Sequence, residues 1–282
     1  MYIMKTNSII PLLIFLFSCS ASERQQPVDL PYDLTAPQKF IMSNALAEIS
    51  GVAIRQSSDT IYAIQDEDGI LFSLLPGSDN VTTTKFGKKG DYEDLTIVGN
   101  TVYILKSNGT IYTVPLNKSV SNIDDQVGEF KDLVPQGEYE GMYGDESNNK
   151  LYILCKNCKK VDEGAGYTLA IAADGQLSAS EPFNLNVDAI QEITKNKKVN
   201  FRPSAITKNK TTNEWFVLSS VNKMLVRASA DWTIKNVYSL DASIFIQPEG
   251  IAFDSKNNLY ISNEAGTTSN GNILKFKYRP AK

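Results

Sequence analysis

The 282-residue chain has no histidine. That absence excludes Ser-His-Asp and Cys-His catalysis, a histidine general base, and every zinc or iron site that needs an imidazole ligand. Cysteine is scarce: Cys19 stands near the N-terminus, and Cys155 and Cys158 form the one close pair. Basic charge accumulates nowhere. The 28 Lys and Arg against 32 Asp and Glu leave a formal charge of −4 and a pI near 5.1, so nucleic acid is not an expected partner. Nothing in the sequence calls for haem, flavin or a nucleotide cofactor. What remains is an ordinary globular composition, 42% hydrophobic and 21% charged, with enough apolar material for a packed core.

The N-terminus reads as a targeting segment. Lys5 supplies a positive start and Ile9 to Phe17 an apolar stretch interrupted by Pro11, too short to span a bilayer comfortably. It ends in Leu16-Phe17-Ser18-Cys19, which resembles the lipobox of bacterial lipoproteins and implies cleavage before Cys19 and acylation there. A plain signal peptide with an incidental cysteine is the alternative. The expected organisation is a lipoprotein signal peptide over 1–18, the lipidated Cys19 and a flexible tether over 19–35, and one domain over 36–280. An acylated Cys19 would hold the exported domain at the inner or outer membrane of the cell envelope. The tether expectation rests on a polar, proline-interrupted composition.

Five short apolar strands open with one local pattern: Ser50-Gly51-Val52-Ala53, Glu93-Asp94-Leu95-Thr96, Glu140-Gly141-Met142-Tyr143, Ser204-Ala205-Ile206-Thr207 and Glu249-Gly250-Ile251-Ala252. Each is followed by a second strand with an aromatic near its start, at Tyr62, Tyr103, Tyr152, Phe216 and Tyr260. Self-similarity at about 40–50 residues marks a propeller of four-stranded blades. The pattern predicts an all-β fold, a five-bladed propeller of antiparallel blades. The last blade lacks an outer strand, and the segment 38–42 ahead of the first blade would supply it, leaving no open edge. A sixth blade is the alternative and would have to lie between Gly141 and Ala205. Apolar residues three apart over 187–193 favour a short helical insertion there instead.

These repeats resemble the SdiA-regulated family of bacterial envelope β-propellers. The resemblance is carried by Leu46 to Ala53, Ile61 to Glu67, Tyr92 to Leu95, Tyr139 to Met142, Phe201 to Ile206 and Gln247 to Ala252. It implies a membrane-associated propeller whose activity is largely undefined. More distantly the pattern is similar to phytase-like and gluconolactonase-like propellers, which place a divalent metal at the channel mouth.

In such a blade the start of the first strand and the end of the second lie on one face, and here both are polar. Glu48, Asp66, Glu93, Glu140, Glu249 and Glu264 form the expected metal ring. Calcium is the cation they would suit, because it takes oxygen ligands from carboxylates and water. Asp94, Lys106, Lys156, Arg202 and Asn263 are the further ligand-binding candidates. The opposing expectation is that these carboxylates bond backbone amides and are neutralised by Lys106, Lys156 and Arg202. Cys155 and Cys158 are expected to form a local disulfide bracing the end of a strand, and Lys156 to Lys160 a solvated basic loop. The second-strand aromatics are read as inter-blade packing, with Trp232 and Tyr139 expected to be exposed. No nucleophile–base pair is legible at the mouth, which favours binding of a small ligand or an envelope protein. The alternative is a calcium-dependent phosphoesterase or lactonase-like hydrolase.

Overall fold

A computed structural model describes residues 29–78, 80–116, 126–158, 165–266 and 270–280. The expected signal peptide, Cys19, tether residues 20–28, and Lys159 and Lys160 lie outside the described residues. Strand β1 (Gln38–Ile41) precedes five runs of strands. Blade one is β2 (Ile49–Arg55), β3 (Thr60–Gln65), β4 (Ile70–Leu74) and β5 (Val81–Lys85). Blade two is β6 (Tyr92–Val98), β7 (Thr101–Lys106), β8 (Ile111–Pro115) and β9 (Gly128–Phe130). Blade three is β10 (Gly137–Asp145), β11 (Lys150–Cys158), β12 (Ala165–Ile171) and β13 (Leu177–Asn184). Blade four is β14 (Ala205–Asn209), β15 (Glu214–Ser219), β16 (Met224–Ala228) and β17 (Ile234–Ser239). Blade five is β18 (Pro248–Phe253), β19 (Leu259–Asn263) and β20 (Asn272–Phe276), completed on its outer side by β1. Five blades, not six, make the ring.

Local chemistry explains the repetition. The turn from first to second strand places a residue in the left-handed region in every blade: Asp59, Gly99, Asn149, Asn213 and Asn257, with φ between 48° and 65°. Glycine, asparagine and aspartate tolerate that conformation best, so the turn chemistry recurs with the repeat. The first strands β2, β6, β10, β14 and β18 follow one another around the central channel, and β18 returns to β2. Glycines permit the close approach. A Cβ on Gly51 would lie 2.7 Å from the Asp94 backbone, and one on Gly250 would lie 2.7 Å from the Ser50 carbonyl.

The core is five seams rather than one centre. Tyr103, Met142 and Leu151 fill the seam between blades two and three, while Phe216, Phe253 and Leu274 fill that between four and five. Val52, Ala252 and Tyr260 close the last seam, from blade five back to one. The second-strand aromatics are thus packing residues, as expected. Ring closure is made by hydrogen bonds between strands distant in sequence: Gln38 to Ile41 pair antiparallel with Lys275 to Asn272, and the Met42 amide bonds the Gly271 carbonyl at 2.8 Å.

The insertion between blades three and four is helix α1 (Val187–Thr194). Asn186 caps it by accepting the Ala189 amide at 3.1 Å, and Lys195 ends it in the left-handed region. Its buried residues Val187 and Ile190 face Trp215 and Val217 of blade four.

Two expectations need correction. Residues 29–35 are not a free tether. Leu30 and Tyr32 are buried among Phe216, Phe253 and Tyr238, because a polar composition concealed two large apolar side chains with a seam to fill. Nor are Tyr139 and Trp232 exposed platforms. Tyr139 is wholly buried, donating to the Pro135 carbonyl at 2.6 Å. Trp232 is stacked between Phe183 at 4.1 Å and Trp215 at 4.2 Å, in a turn where its φ is 68°.

Candidate functional site

The first strands of blades two, three and five each begin with a β-bulge. Pairing passes from Tyr92↔Lys106 to Asp94↔Leu105, from Tyr139↔Cys155 to Gly141↔Leu154, and from Pro248↔Asn263 to Gly250↔Ser262. The residues skipped are Glu93, Glu140 and Glu249. A bulge leaves its extra residue unpaired and re-aims the side chain, and here it turns three glutamates toward one another at one mouth of the channel. At the equivalent positions of blades one and four stand Ser50 and Ser204, which stitch the blades instead. Ser50 donates to the Tyr92 carbonyl at 2.9 Å and Ser204 to the Pro248 carbonyl at 3.0 Å.

Glu264, just past β19, joins the three glutamates. Burial first, and then repulsion from Glu140 and Asp91, push Glu93 up to about 9. Burial and then Glu249, Glu48, Asp66 and Glu140 raise Glu264 to about 8. Burial and Glu140 raise Glu249 to about 7, moderated by a hydrogen bond from Ser220 and by the charges of Lys156 and Lys223. Asp66 is raised by burial and then by Glu48 and Glu67, and its Oδ1 is buried without a hydrogen bond. The six acids expected as a ring are therefore coupled in one electrostatic group. Among the described residues, however, no three acidic side chains are gathered as closely as a preformed metal site requires.

Two lysines enter the mouth. Lys156 bonds Glu140 and stands 3.6 Å from Glu138. Burial disfavours its charge, but Glu140, Glu138 and Glu249 outweigh that and raise its pKa. The disulfide between Cys155 and Cys158 brackets this lysine, at the bulge opposite Tyr139 and Glu140. Lys223 was not legible in the sequence. It donates to the Ile246 carbonyl at 2.6 Å, and burial lowers its pKa against the pull of Glu249. Its signal, a lysine in the turn after a second strand, is shared by any surface turn.

Three ligand-binding candidates sit elsewhere. Asp94 is buried between blades two and three, accepting the Leu95 amide at 2.8 Å and the Met142 amide at 2.7 Å; burial pushes it well up despite those bonds. Asn263 is wholly buried and donates to Asn272 at 3.1 Å. Lys106 lies over the Tyr92 ring at 5.4 Å and acts on Glu129 of β9, pointing toward the blade exterior. Strand alternation decides these three, since one residue along a strand reverses the face. Arg202 is tied through its backbone, its amide to Asn222 at 3.0 Å and its carbonyl to Ser219 at 2.5 Å. Ser220 lies against Glu249 at the mouth and lowers its pKa by a hydrogen bond.

The far end of the channel holds a separate cavity of about 440 Å³, where the first strands finish. On its walls Arg55 donates to Asn100 at 2.6 Å and Gln56 to the Phe253 carbonyl at 2.8 Å, beside Glu146, Lys208 and Lys210.

Solved propellers share this architecture. The chain is similar to glutaminyl cyclase of Myxococcus xanthus, at 12% identity and a TM-score of 0.59, over 87% of this chain and 96% of that one. It is similar also to a luciferin-regenerating enzyme, at 10% identity and a TM-score of 0.52, over 87% of this chain and 98% of that one. At such identities the likeness concerns the fold. No curated protein matches the sequence. The SdiA-regulated family profile matches residues 29–267, from the buried N-terminal segment to the end of β19 and beyond. On that span, the chain belongs to the SdiA-regulated family.

Proposed function

We propose that this protein is an exported, lipid-anchored propeller of the cell envelope that binds a cation, calcium first, at the acidic mouth of its channel. The mouth serves recognition of a small ligand or an envelope protein. The anchor is Cys19, on the lipobox-like Leu16-Phe17-Ser18-Cys19. One observation supports the cation most: Glu93, Glu249 and Glu264 are raised to about 9, 7 and 8 by burial and by one another. Carboxylates held so far from their ordinary range ionise together only when positive charge arrives. The carboxylates are spread around the mouth, so calcium would be held by some of them directly and by others through water, as its flexible oxygen shell allows.

Thermal unfolding with and without calcium tests this reading. Calcium should raise the melting temperature of the native protein and do little for a Glu93→Gln, Glu249→Gln double variant. No shift in the native protein would sink the calcium site.

A second reading is favoured by Ser220, whose hydroxyl bonds Glu249 beside Lys156 and Lys223. A carboxylate near pH 7 against a hydroxyl is an arrangement for acid–base chemistry, in a calcium-dependent hydrolase of phosphate or lactone esters. A panel of such esters, assayed with calcium on native protein and Ser220→Ala, separates the readings. Turnover lost in the variant would favour the hydrolase.

A further inference from the structure

Two residues of blade three are left out of the strand ladder, and they meet. Pairing of β10 with β11 passes from Glu138↔Asn157 to Tyr139↔Cys155, which skips Lys156, and then to Gly141↔Leu154, which skips Glu140. Each bulge frees its extra side chain from the regular alternation, and the Lys156 ammonium bonds the Glu140 carboxylate. Lys156 is thus a cation built into the mouth. Burial raises Glu140, Glu93 and Glu249, and the charge of Lys156 opposes that rise in all three.

A covalent bond spans the bulge that carries this lysine. Cys155 and Cys158 flank Lys156 and Asn157, and their disulfide holds the two Cα atoms 6.0 Å apart. Three steps along an extended strand cover roughly 10 Å, so the bonded segment cannot lie straight. Gly137 pairs with Cys158, and a Cβ there would collide with the Cys158 sulfur; the facing strand leaves room for the bridge. Without the bond the segment is free to extend, and a register change of one residue carries a side chain to the opposite face of the sheet. The two sulfurs differ in access. Cys155 is buried, whereas Cys158 is partly exposed.

We propose that the Cys155–Cys158 disulfide is a redox-sensitive site that decides whether Lys156 occupies the acidic mouth. A dithiol donor attacks the Cys158 sulfur as thiolate. The S–S bond breaks, a mixed disulfide forms on Cys158, and Cys155 leaves as a thiolate that takes up a proton. The donor's second thiol then displaces Cys158 as a thiol, and the donor ends as a disulfide, having given two electrons and two protons. Once released, Lys156 withdraws from Glu140, and the mouth exchanges its internal cation for an external one. The oxidised protein is the weaker cation binder and the reduced protein the stronger. Linkage requires the converse, that a bound cation favours the reduced form. The effect on calcium rests on the cation site proposed above; the release of Lys156 does not.

Acylation of Lys156 by a succinimidyl ester, read by peptide mass spectrometry, follows the lysine without reference to calcium. It is measured on the native protein with the bond verified by mass, and again after reduction by dithiothreitol and anaerobic removal of the reagent. A Cys155→Ser, Cys158→Ser variant repeats the reduced state, and circular dichroism checks each fold; if the variant misfolds, the reduced native protein decides. Lys156 should be labelled severalfold faster after reduction. Equal labelling, or unfolding on reduction, would overturn the proposal and leave the disulfide a brace. Isothermal titration with calcium then compares the two forms. Affinity should be severalfold tighter in the reduced protein, and Lys156→Gln should bind equally in both. Equal affinity in the two native forms, or a redox response that persists in Lys156→Gln, would sink the control of the mouth by Lys156. Faster labelling with no calcium binding in either form would reject the cation site and retain the switch.

Discussion

Residues at equivalent positions of the repeat do different work because their side chains meet different neighbours. Glu93, Glu140 and Glu249 face a shared channel mouth, whereas Ser50 and Ser204 reach sideways to the next blade's carbonyls. A glutamate buried among glutamates binds protons more tightly in the folded state than in the unfolded one. The folded protein therefore holds more protons between the ordinary carboxylate range and the raised values, and stability falls as pH rises across that window. For Glu249 the window runs from about 4.5 to about 7, and for Glu93 to about 9. We expect the melting temperature to decline from pH 5 toward pH 9 (roughly the span of those shifts) and Glu93→Gln to flatten the decline. A native profile that rises over this range would contradict the burial of these groups. Lys156 competes with any incoming cation for Glu140, so Lys156→Gln should tighten calcium binding, read by isothermal titration; weaker binding would mean that the lysine positions the acids. Asp94 joins blades two and three by accepting the Leu95 and Met142 amides. Asp94→Ala strands the Met142 amide between blades and should cost about 1–3 kcal/mol in denaturant unfolding.

Elements translate these residue choices into positions. The bulges that present the three glutamates arise where the chain turns into a first strand, and glycines beside them let the neighbouring blade approach. The disulfide and the bulge opposite it act on one short stretch of β10 and β11, which is why Lys156 is delivered into the mouth rather than to solvent. The N-terminal segment is an element in its own right. Tyr32 contacts Phe253 at 5.9 Å and Tyr278 at 5.8 Å between ring centres, bridging the chain's two ends. Tyr32→Ala removes a fully buried ring and should destabilise the domain by about 3–5 kcal/mol, as other large-to-small core changes of aromatics do. A loss under about 1 kcal/mol would mean that residues 29–34 dock without supporting the fold.

At the scale of the whole molecule, closure is the dominant fact. Blade five draws its outer strand from residues that precede blade one, so that blade is not complete until the chain's two ends meet. Deleting residues 29–42 should leave β20 as an open edge and produce aggregation on heating that light scattering detects and the native protein lacks. The closed ring also gives the protein two chemically distinct poles, an acidic mouth and a cavity end where the chain enters.

Blade number, the closing strand, the helix at 187–194 and the local disulfide were legible in the sequence because each depends on near neighbours: turn residues, strand alternation, a helix cap, two cysteines three apart. The acidic mouth was legible as a set of residue types at one end of the blades. Its membership was not. Asp94, Asn263 and Lys106 turn away because strand registers and bulges, set by pairing with the next strand, decide which face each side chain takes. Lys223 enters from a turn that carries no pattern. The burial of Tyr32 depends on a seam between blades four and five that lies more than 180 residues further along the chain. Local chemistry thus determined the blades by itself. Which carboxylates meet, which cations oppose them and where the tether leaves were decided only when the ring closed, because those outcomes depend on distances between residues far apart in sequence.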